Sequence, residues 1–421
     1  MRIKIGYGVL VYIVYGLACV SIGAGCSVSQ KGASTYDFPK PVDTHSKTIA
    51  YQEKKVYATA AGLYASNLFD GARLNNFRQI SDSSFYATIM PENEPINQSA
   101  WYAFKLWRKE ASEQYVTLEY PTGKHRFYPK LSHDGVTWSL LDSARILYDS
   151  ASQMTTLKLE VSSDTLWVAA QEVLDAKMGL QWCETISESE LVTYETIGRS
   201  ALGRQIPWLQ IKEGDPKGKK MIVVLSRQHP PEVTGYLAMQ AFIEGLLQSD
   251  QIDEFLEEYQ VFVYPLINPD GVDLGHWRHN SGGVDLNRDW AYYRQPETRL
   301  VANHLANAVD SLKAQVILGL DFHSTFHDVY YTLDADKISV QTIPWLRNQW
   351  FASLENQIEG YHANESAAGL GTPVTKGWFY TQFGAEGITY EIGDSTPRDE
   401  IQTIGSVSAQ ELIKILLQSD L

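Results

Sequence analysis

The stretch MIVVLSRQHPPEVTGYLAMQAFIEGLL, residues 221–247, decides the fold class. It opens on MIVVL, an apolar run of strand length. The two prolines of HPPE then block both a helix and a sheet ladder, so His229 and Glu232 are expected in a loop. From Val233 onward the apolar residues recur at helical spacing. Strand, loop, helix is the unit of α/β proteins, which hold ligands beyond the carboxyl ends of their strands. For the four residues HPPE alone, a surface loop with a chance histidine and glutamate competes with this reading.

The same texture continues to the C-terminus. Apolar runs of strand length, MIVVL (221–225), VFVYPLI (261–267), VILGLDF (316–322) and GITYEIG (387–393), alternate with amphipathic stretches near 233–248, 296–313, 340–358 and 405–419. Alternating strands and helices predict a mixed, largely parallel sheet flanked by helices. Upstream, from about 50 to 185, the texture is all β. SSFYATIM, WYAFKLW, QYVTLEY and TTLKLEV are rich in β-branched and aromatic residues, and MPENEPINQS, PTGK and SHDG read as turns between strands. An antiparallel β-sandwich is expected there, with Trp101, Trp107 and Trp138 in its core or on a sheet face. The predicted layout is a signal at 1–25, a Ser/Thr/Lys/Pro-rich tether at 26–48, a sandwich at 49–187 and an α/β catalytic domain at 188–421.

A formal net charge of −15 over 421 residues argues against nucleic acid and against an anionic membrane surface as partners. Arg2 and Lys4 precede the uncharged run IGYGVLVYIVYGLACVSIGAG and then Cys26, which reads as an export signal. Small residues before a cysteine resemble a bacterial lipoprotein signal, so Cys26 is expected to carry lipid and hold the protein to a membrane, in the periplasm or at the cell surface. An uncleaved anchor is the alternative, since the run is long enough to span a bilayer. With Cys19 and Cys26 in the signal, only Cys183 stays in the fold. No intramolecular disulfide can then form, and any metal site must use histidines and carboxylates.

Candidate ligands fall at the strand ends. NPDGVDLGHWRHNSGGVDLNRDW (268–290) follows VFVYPLI, DFHSTFH (321–327) overlaps the end of VILGLDF, and Glu391 lies in GITYEIG. Two histidines and a carboxylate form the set used by catalytic zinc, with a fourth position open to water. A further carboxylate can act as general base, and arginines suit places where negative charge binds or develops. His276, His279 and His327 read as loop residues, because the site needs its fourth position open.

The ordered set resembles the zinc carboxypeptidases of the funnelin type (M14). HPPE (229–232), WR (277–278), VDLNRDW (284–290), DFHST (321–325) and ITYEIGD (388–394) match its elements in order, and ETIGRSALGRQIPWLQI (195–211) matches its lead-in. LFDGARLNNFRQI, SAWYAFKLW, KHRFYPKLSHDGVTW and NPDGV resemble the cytosolic carboxypeptidases, which place a β-sandwich before the catalytic domain and remove acidic residues, chiefly glutamate. The resemblance implies one Zn²⁺ held by His229, Glu232 and His323, with Asp285 holding His229. It implies Arg278 at the developing oxyanion, Asn287 and Arg288 on the substrate's terminal carboxylate, and Glu391 as the proton-transferring base. The position that selects the side chain falls on Lys376, a cation suited to Glu or Asp. The family's mobile tyrosine has no counterpart near Gly369, and Tyr361 and Tyr380 are the nearest replacements. The expected partner is a peptide or protein C-terminus. Alternatives are a cell-wall stem-peptide (γ-D-glutamyl) peptidase or amino-acid deacylase on the same scaffold, and a non-catalytic protein that binds C-termini.

Overall fold

The computed structural model describes residues 32–338 and 343–419. The expected export signal and Cys26 lie outside the described residues. Among the described residues, no helix is long and apolar enough to cross a membrane.

Residues 56–169 form two packed sheets, one of six strands and one of five. Their strands alternate as a half-buried sheet should: Met154–Val161 buries Thr155, Leu157, Leu159 and Val161 and turns the residues between them outward. Trp101 is buried in the shared core. Trp107 stacks on Tyr64 at 5.6 Å, and Trp138 meets Trp167 edge-on at 6.3 Å. The expected antiparallel pairing fails at one place, where Ser84–Thr88 runs parallel to Ser112–Glu119. The strand between them, Ala103–Arg108, belongs to the opposite sheet, so the chain returns in its original direction.

The second part is built on an eight-stranded sheet. Its order is Val192–Arg199, Gln205–Ile211, Tyr259–Tyr264, Lys220–Ser226, Gln315–Thr325, Glu386–Gly393, Val329–Leu333, Glu365–Ala368. The four strands from Tyr259–Tyr264 to Glu386–Gly393 pair in parallel. Helices Val233–Leu247, Pro296–Leu312, Leu346–Gln357 and Arg398–Leu417 correspond to the four predicted amphipathic stretches. The strand predicted over 261–267 stops at Tyr264, where Pro265 removes a ladder donor. Three short helices, Ile252–Glu258, Pro269–Leu274 and Thr375–Phe383, had no strong periodic signal.

Two boundaries differ from expectation. Helix Ala176–Ile186, assigned to the sandwich by the boundary at 187, packs with the α/β part: Cys183 is buried among Leu209, Ile211, Tyr236 and Phe242. Residues 32–48, expected as a tether, have no helix or strand but lie against the body. Phe38 is buried, Lys40 donates its amide to the Gly371 carbonyl at 3.0 Å, and the Thr44 hydroxyl bonds Asp289. Composition without periodicity excludes regular structure there, but it leaves the backbone free to pair with what it meets.

The helix after HPPE starts hard against the sheet. Thr234 Oγ1 and the Gly235 amide both donate to Ser324 Oγ at 2.8 Å. A β-carbon at Gly235 would lie 2.1 Å from the His323 carbonyl oxygen, so only glycine allows this approach. Gly235→Ala is therefore expected to destabilise the protein by roughly 1–3 kcal/mol or more, the usual range for overpacking. Urea unfolding reads this directly, and an unchanged midpoint would mean that the helix stands farther from the sheet.

Candidate metal centre

The strand Lys220–Ser226 ends in a residue that turns the chain. Arg227 has φ +54°, a left-handed conformation rare outside glycine, and is buried. This turn sends Gln228 and His229 across the carboxyl ends of the parallel strands. Neighbouring carbonyls and amides secure the loop: Asn268 donates its amide to the Arg227 carbonyl at 3.1 Å and its Nδ2 to the Gln228 carbonyl at 3.0 Å. Glu232 then stands at the start of the helix Val233–Leu247, with its side chain left free of the helix amides. His323 comes from the strand Gln315–Thr325, and Glu391 faces it in register from the neighbouring parallel strand.

His229, Glu232 and His323 converge, with one ligand atom from each lying within 4.8 Å of the others. His229 Nδ1 lies 2.8 Å from Glu232 Oε1, and His323 Nδ1 lies 2.7 Å from Glu232 Oε2. The two Nδ1 atoms face each other at 3.1 Å. Behind them, His229 Nε2 is 2.9 Å from Asp285 Oδ1 and His323 Nε2 is 2.7 Å from Asp321 Oδ2. A carboxylate behind each ring fixes the outward nitrogen as the N–H and leaves the inward one with a lone pair. Two lone pairs at that distance call for a cation between them. Burial opposes charge on His323, but Asp321 and Glu232 outweigh it and hold its imidazolium well above the ordinary histidine range. Burial would likewise raise Glu232, yet His229 and His323 keep it far below the usual carboxylate range. A divalent metal displaces the proton and satisfies all three groups, and the His₂Glu donor set fits zinc.

Asp321 is a functional residue that sequence reasoning missed. It is buried, and besides His323 it accepts from Gln228 Nε2 at 2.7 Å and from the Thr375 hydroxyl. The available signal was the strand period, since residues 321 and 323 share one face.

Asp285 also receives Arg278 Nε at 2.7 Å, and Arg278 and His229 hold its carboxyl well below its ordinary value against burial. The Arg278 guanidinium reaches to 3.9 Å from Glu232. Asn287 accepts the Thr375 amide at 3.0 Å and brings Nδ2 to 3.3 Å from His323 Nε2. Arg288 is more open and lies 3.8 Å from Asp285. Burial, and then the charge of Glu232, push Glu391 up to about 7, against His323, His229 and Arg278. A carboxylate poised there can take and return a proton at neutral pH.

His229, Glu232, Arg278, Asn287, Arg288 and Glu391 line a cleft of about 660 Å³. Lys376 lines it too; its Nζ donates to the Thr332 carbonyl at 2.7 Å, and burial lowers it to about 8. The sandwich side contributes Asn97, Gln98, Ser99 and Arg126, and the N-terminal segment contributes Lys40. No local pattern marked these residues. Five cations thus face two carboxylates, Glu232 and Glu391, inside a protein of net negative charge. Tyr361 does not line the cleft. Its hydroxyl sits 2.7 Å from that of Tyr330 and 3.1 Å from that of Tyr390, beneath the sheet. Tyr380 is likewise absent from the lining, whereas Tyr331 is present, its phenol raised by burial and by the charge of Glu391. His276 and His279 are buried loop residues, bonded to the His279 carbonyl (2.9 Å) and Asn93 (2.6 Å) respectively, and His327 is exposed.

Comparison with known proteins agrees with this geometry. Residues 180–405 match the model of the zinc carboxypeptidase family, Peptidase_M14. The chain is 27% identical over 248 residues to an uncharacterized protein of Zymomonas mobilis, covering 56% of this chain and 62% of that one. It is 38% identical over 103 residues to mouse cytosolic carboxypeptidase 6, covering 23% of this chain and 19% of that protein. It therefore spans less than two thirds of these relatives' lengths. The fold is shared with a metallo-carboxypeptidase of Burkholderia cenocepacia (TM-score 0.69, 18% identity, 84% of this chain and 98% of that one). It is also shared with one of Pseudomonas aeruginosa, solved with (2-guanidinoethylmercapto)succinic acid (TM-score 0.66, 19% identity, 84% and 98%). With more than half its length matched by the family model, and with the His₂Glu centre and its buried carboxylates in place, the chain belongs to the zinc carboxypeptidase family, M14.

Proposed function

We propose that this protein is a metallocarboxypeptidase that hydrolyses the last peptide or isopeptide bond of an acidic C-terminus, Glu or Asp. The observation that carries the reading is the cleft itself: a His₂Glu centre and a carboxylate near neutrality, ringed by Lys40, Arg126, Arg278, Arg288 and Lys376. Such a ring favours an anionic ligand whatever the net charge of the chain, because the local field governs binding.

Zinc held by His229, Glu232 and His323 would supply a Lewis acid that activates water and polarises the scissile carbonyl. Glu391 accepts the proton of the attacking water and returns it to the leaving amine. Arg278 stands where negative charge develops on the carbonyl oxygen. The planar fork of Arg288, beside Asn287, suits the terminal carboxylate. Lys376 meets the acidic side chain. Export and lipid attachment through Cys26 remain part of this proposal, so the substrate would be met outside the cytoplasm.

The test is mass spectrometry of products from zinc-loaded protein and peptides that differ only in their last residue. Loss of one residue, fastest for Glu or Asp, is expected. No cleavage of any linear peptide would count against the reading and turn attention to cell-wall stem peptides. Glu391→Gln should lower kcat by roughly 10²–10⁴-fold, the usual worth of a general base, with zinc still bound. Retained turnover would assign the proton to another group. Asp321→Asn is expected to weaken zinc by about 10–100-fold, as loss of a ligand-orienting carboxylate does, in a chelator competition. Equal affinity would remove Asp321 from that role. Lys376→Glu should shift preference from acidic toward basic C-terminal residues. In the wild type, the advantage of acidic peptides in kcat/KM should decline as pH rises through about 8, where the free ammonium loses its proton. A preference flat from pH 7 to 9.5 would mean that Lys376 does not select the side chain.

A further inference from the structure

Glu92 lies in the turn MPENEPINQS of the sandwich part, yet it is fully buried. Charged side chains are seldom buried without partners. Glu92 finds its partners on the catalytic part. It accepts three consecutive backbone amides, those of Trp277 (2.8 Å), Arg278 (3.1 Å) and His279 (2.7 Å). Successive amides turned to one side form an anion-binding nest, and here the anion is a side chain of the same protein. Burial alone would raise the Glu92 carboxyl, but His276, Arg73 and His279, with the His279 amide, hold it below its ordinary value.

The loop is gripped at further points by the same side. Trp277 is fully buried in the sandwich core and donates its indole N–H to the Trp101 carbonyl at 3.0 Å. Asn93 reaches His279 Nδ1 at 2.6 Å and donates to the Gly283 carbonyl at 3.0 Å. With the amides of 277–279 turned toward Glu92, the Arg278 side chain projects the other way, to Asp285 and toward Glu232. The direction of Arg278 is thus set by a carboxylate from a different part of the chain.

We propose that Glu92 is a positioning residue for the reaction: it holds the amides of 277–279 and so aims Arg278 at the scissile carbonyl. This rests on the reading of Arg278 given under Proposed function. It makes the sandwich a contributor to the chemistry of the site as well as a wall of the cleft.

The experiment uses the full zinc-loaded protein and Glu92→Gln, which keeps the shape and removes one charge and one acceptor. With the best peptide, kcat should fall by about 10–100-fold while KM changes less than about threefold, because a small displacement of a charge-stabilising group acts on the transition state. Zinc content should not change. In an Arg278→Ala background the same substitution should cost no more than about twofold, since its effect passes through Arg278. Costs that multiply as independent effects would overturn the proposal. Amide hydrogen exchange needs no substrate: it should quicken at 277–279 by at least about tenfold, with residues 222–225 still protected. Unchanged exchange overturns the proposal whatever the activity. If the wild type cleaves no peptide, the proposed reaction fails, and the exchange result still decides whether Glu92 holds the loop. If Glu92→Gln does not fold, Glu92→Asp, which keeps the charge but withdraws it by one methylene, carries the same measurements.

Discussion

Two imidazole nitrogens 3.1 Å apart, both turned inward by carboxylates behind them, require positive charge between them. Much of the site follows from this requirement. Glu232 supplies one countercharge from the front, and Asp285 and Asp321 supply two more from the rear. Two buried carboxylates, Glu232 and Asp321, and a half-buried one, Asp285, would be costly alone. Each is tied in: Asp285 by Arg278, Asp321 by Gln228 and Thr375, and Glu232 by both histidines. Arg278 is thereby coupled to the His₂Glu cluster, since Asp285 bonds both Arg278 and His229.

The placement of these groups depends on a backbone conformation that side chains other than glycine rarely adopt and on a close approach that only glycine allows. Arg227 takes a left-handed conformation where the strand ends, and Gly235 lets the next helix touch the His323 backbone. Strain of this kind persists where surrounding contacts hold it, and here they do so at the functional centre. The parallel strands then put His323 and Glu391 side by side. Their different environments separate them: Asp321 and Glu232 favour charge on His323, whereas burial and Glu232 disfavour it on Glu391.

The sandwich enters this arrangement from outside the catalytic sheet. Asn97, Gln98, Ser99 and Arg126 wall the cleft, and Arg126 is itself fixed by Asp394 at 2.7 Å, three residues after Glu391. Trp277 fills the sandwich core from the catalytic side, so the two parts share hydrophobic packing as well as hydrogen bonds. The segment 32–48 adds Lys40 to the rim through its backbone bond to Gly371.

Much of this was legible from local pattern. Apolar runs and helical spacing announced the α/β part, and short β-branched and aromatic segments between turn signals announced the sandwich, because propensity, period and turn chemistry act over a few residues. HPPE and DFHST marked the three groups that converge, and ITYEIGD marked Glu391 beside them, since each motif lies within one strand end. Distance in sequence hid the rest. Nothing near Glu92 or Arg126 reveals that a turn and a loop of the sandwich reach residues nearly 200 or more positions away. Nor could residue types say which imidazole nitrogen faces inward, that Tyr361 sits beneath the sheet, or that Ser84–Thr88 pairs in parallel. Those outcomes depend on which surfaces meet once the sheets pack, and close packing and the pairing of buried polar groups settle them only in the folded chain.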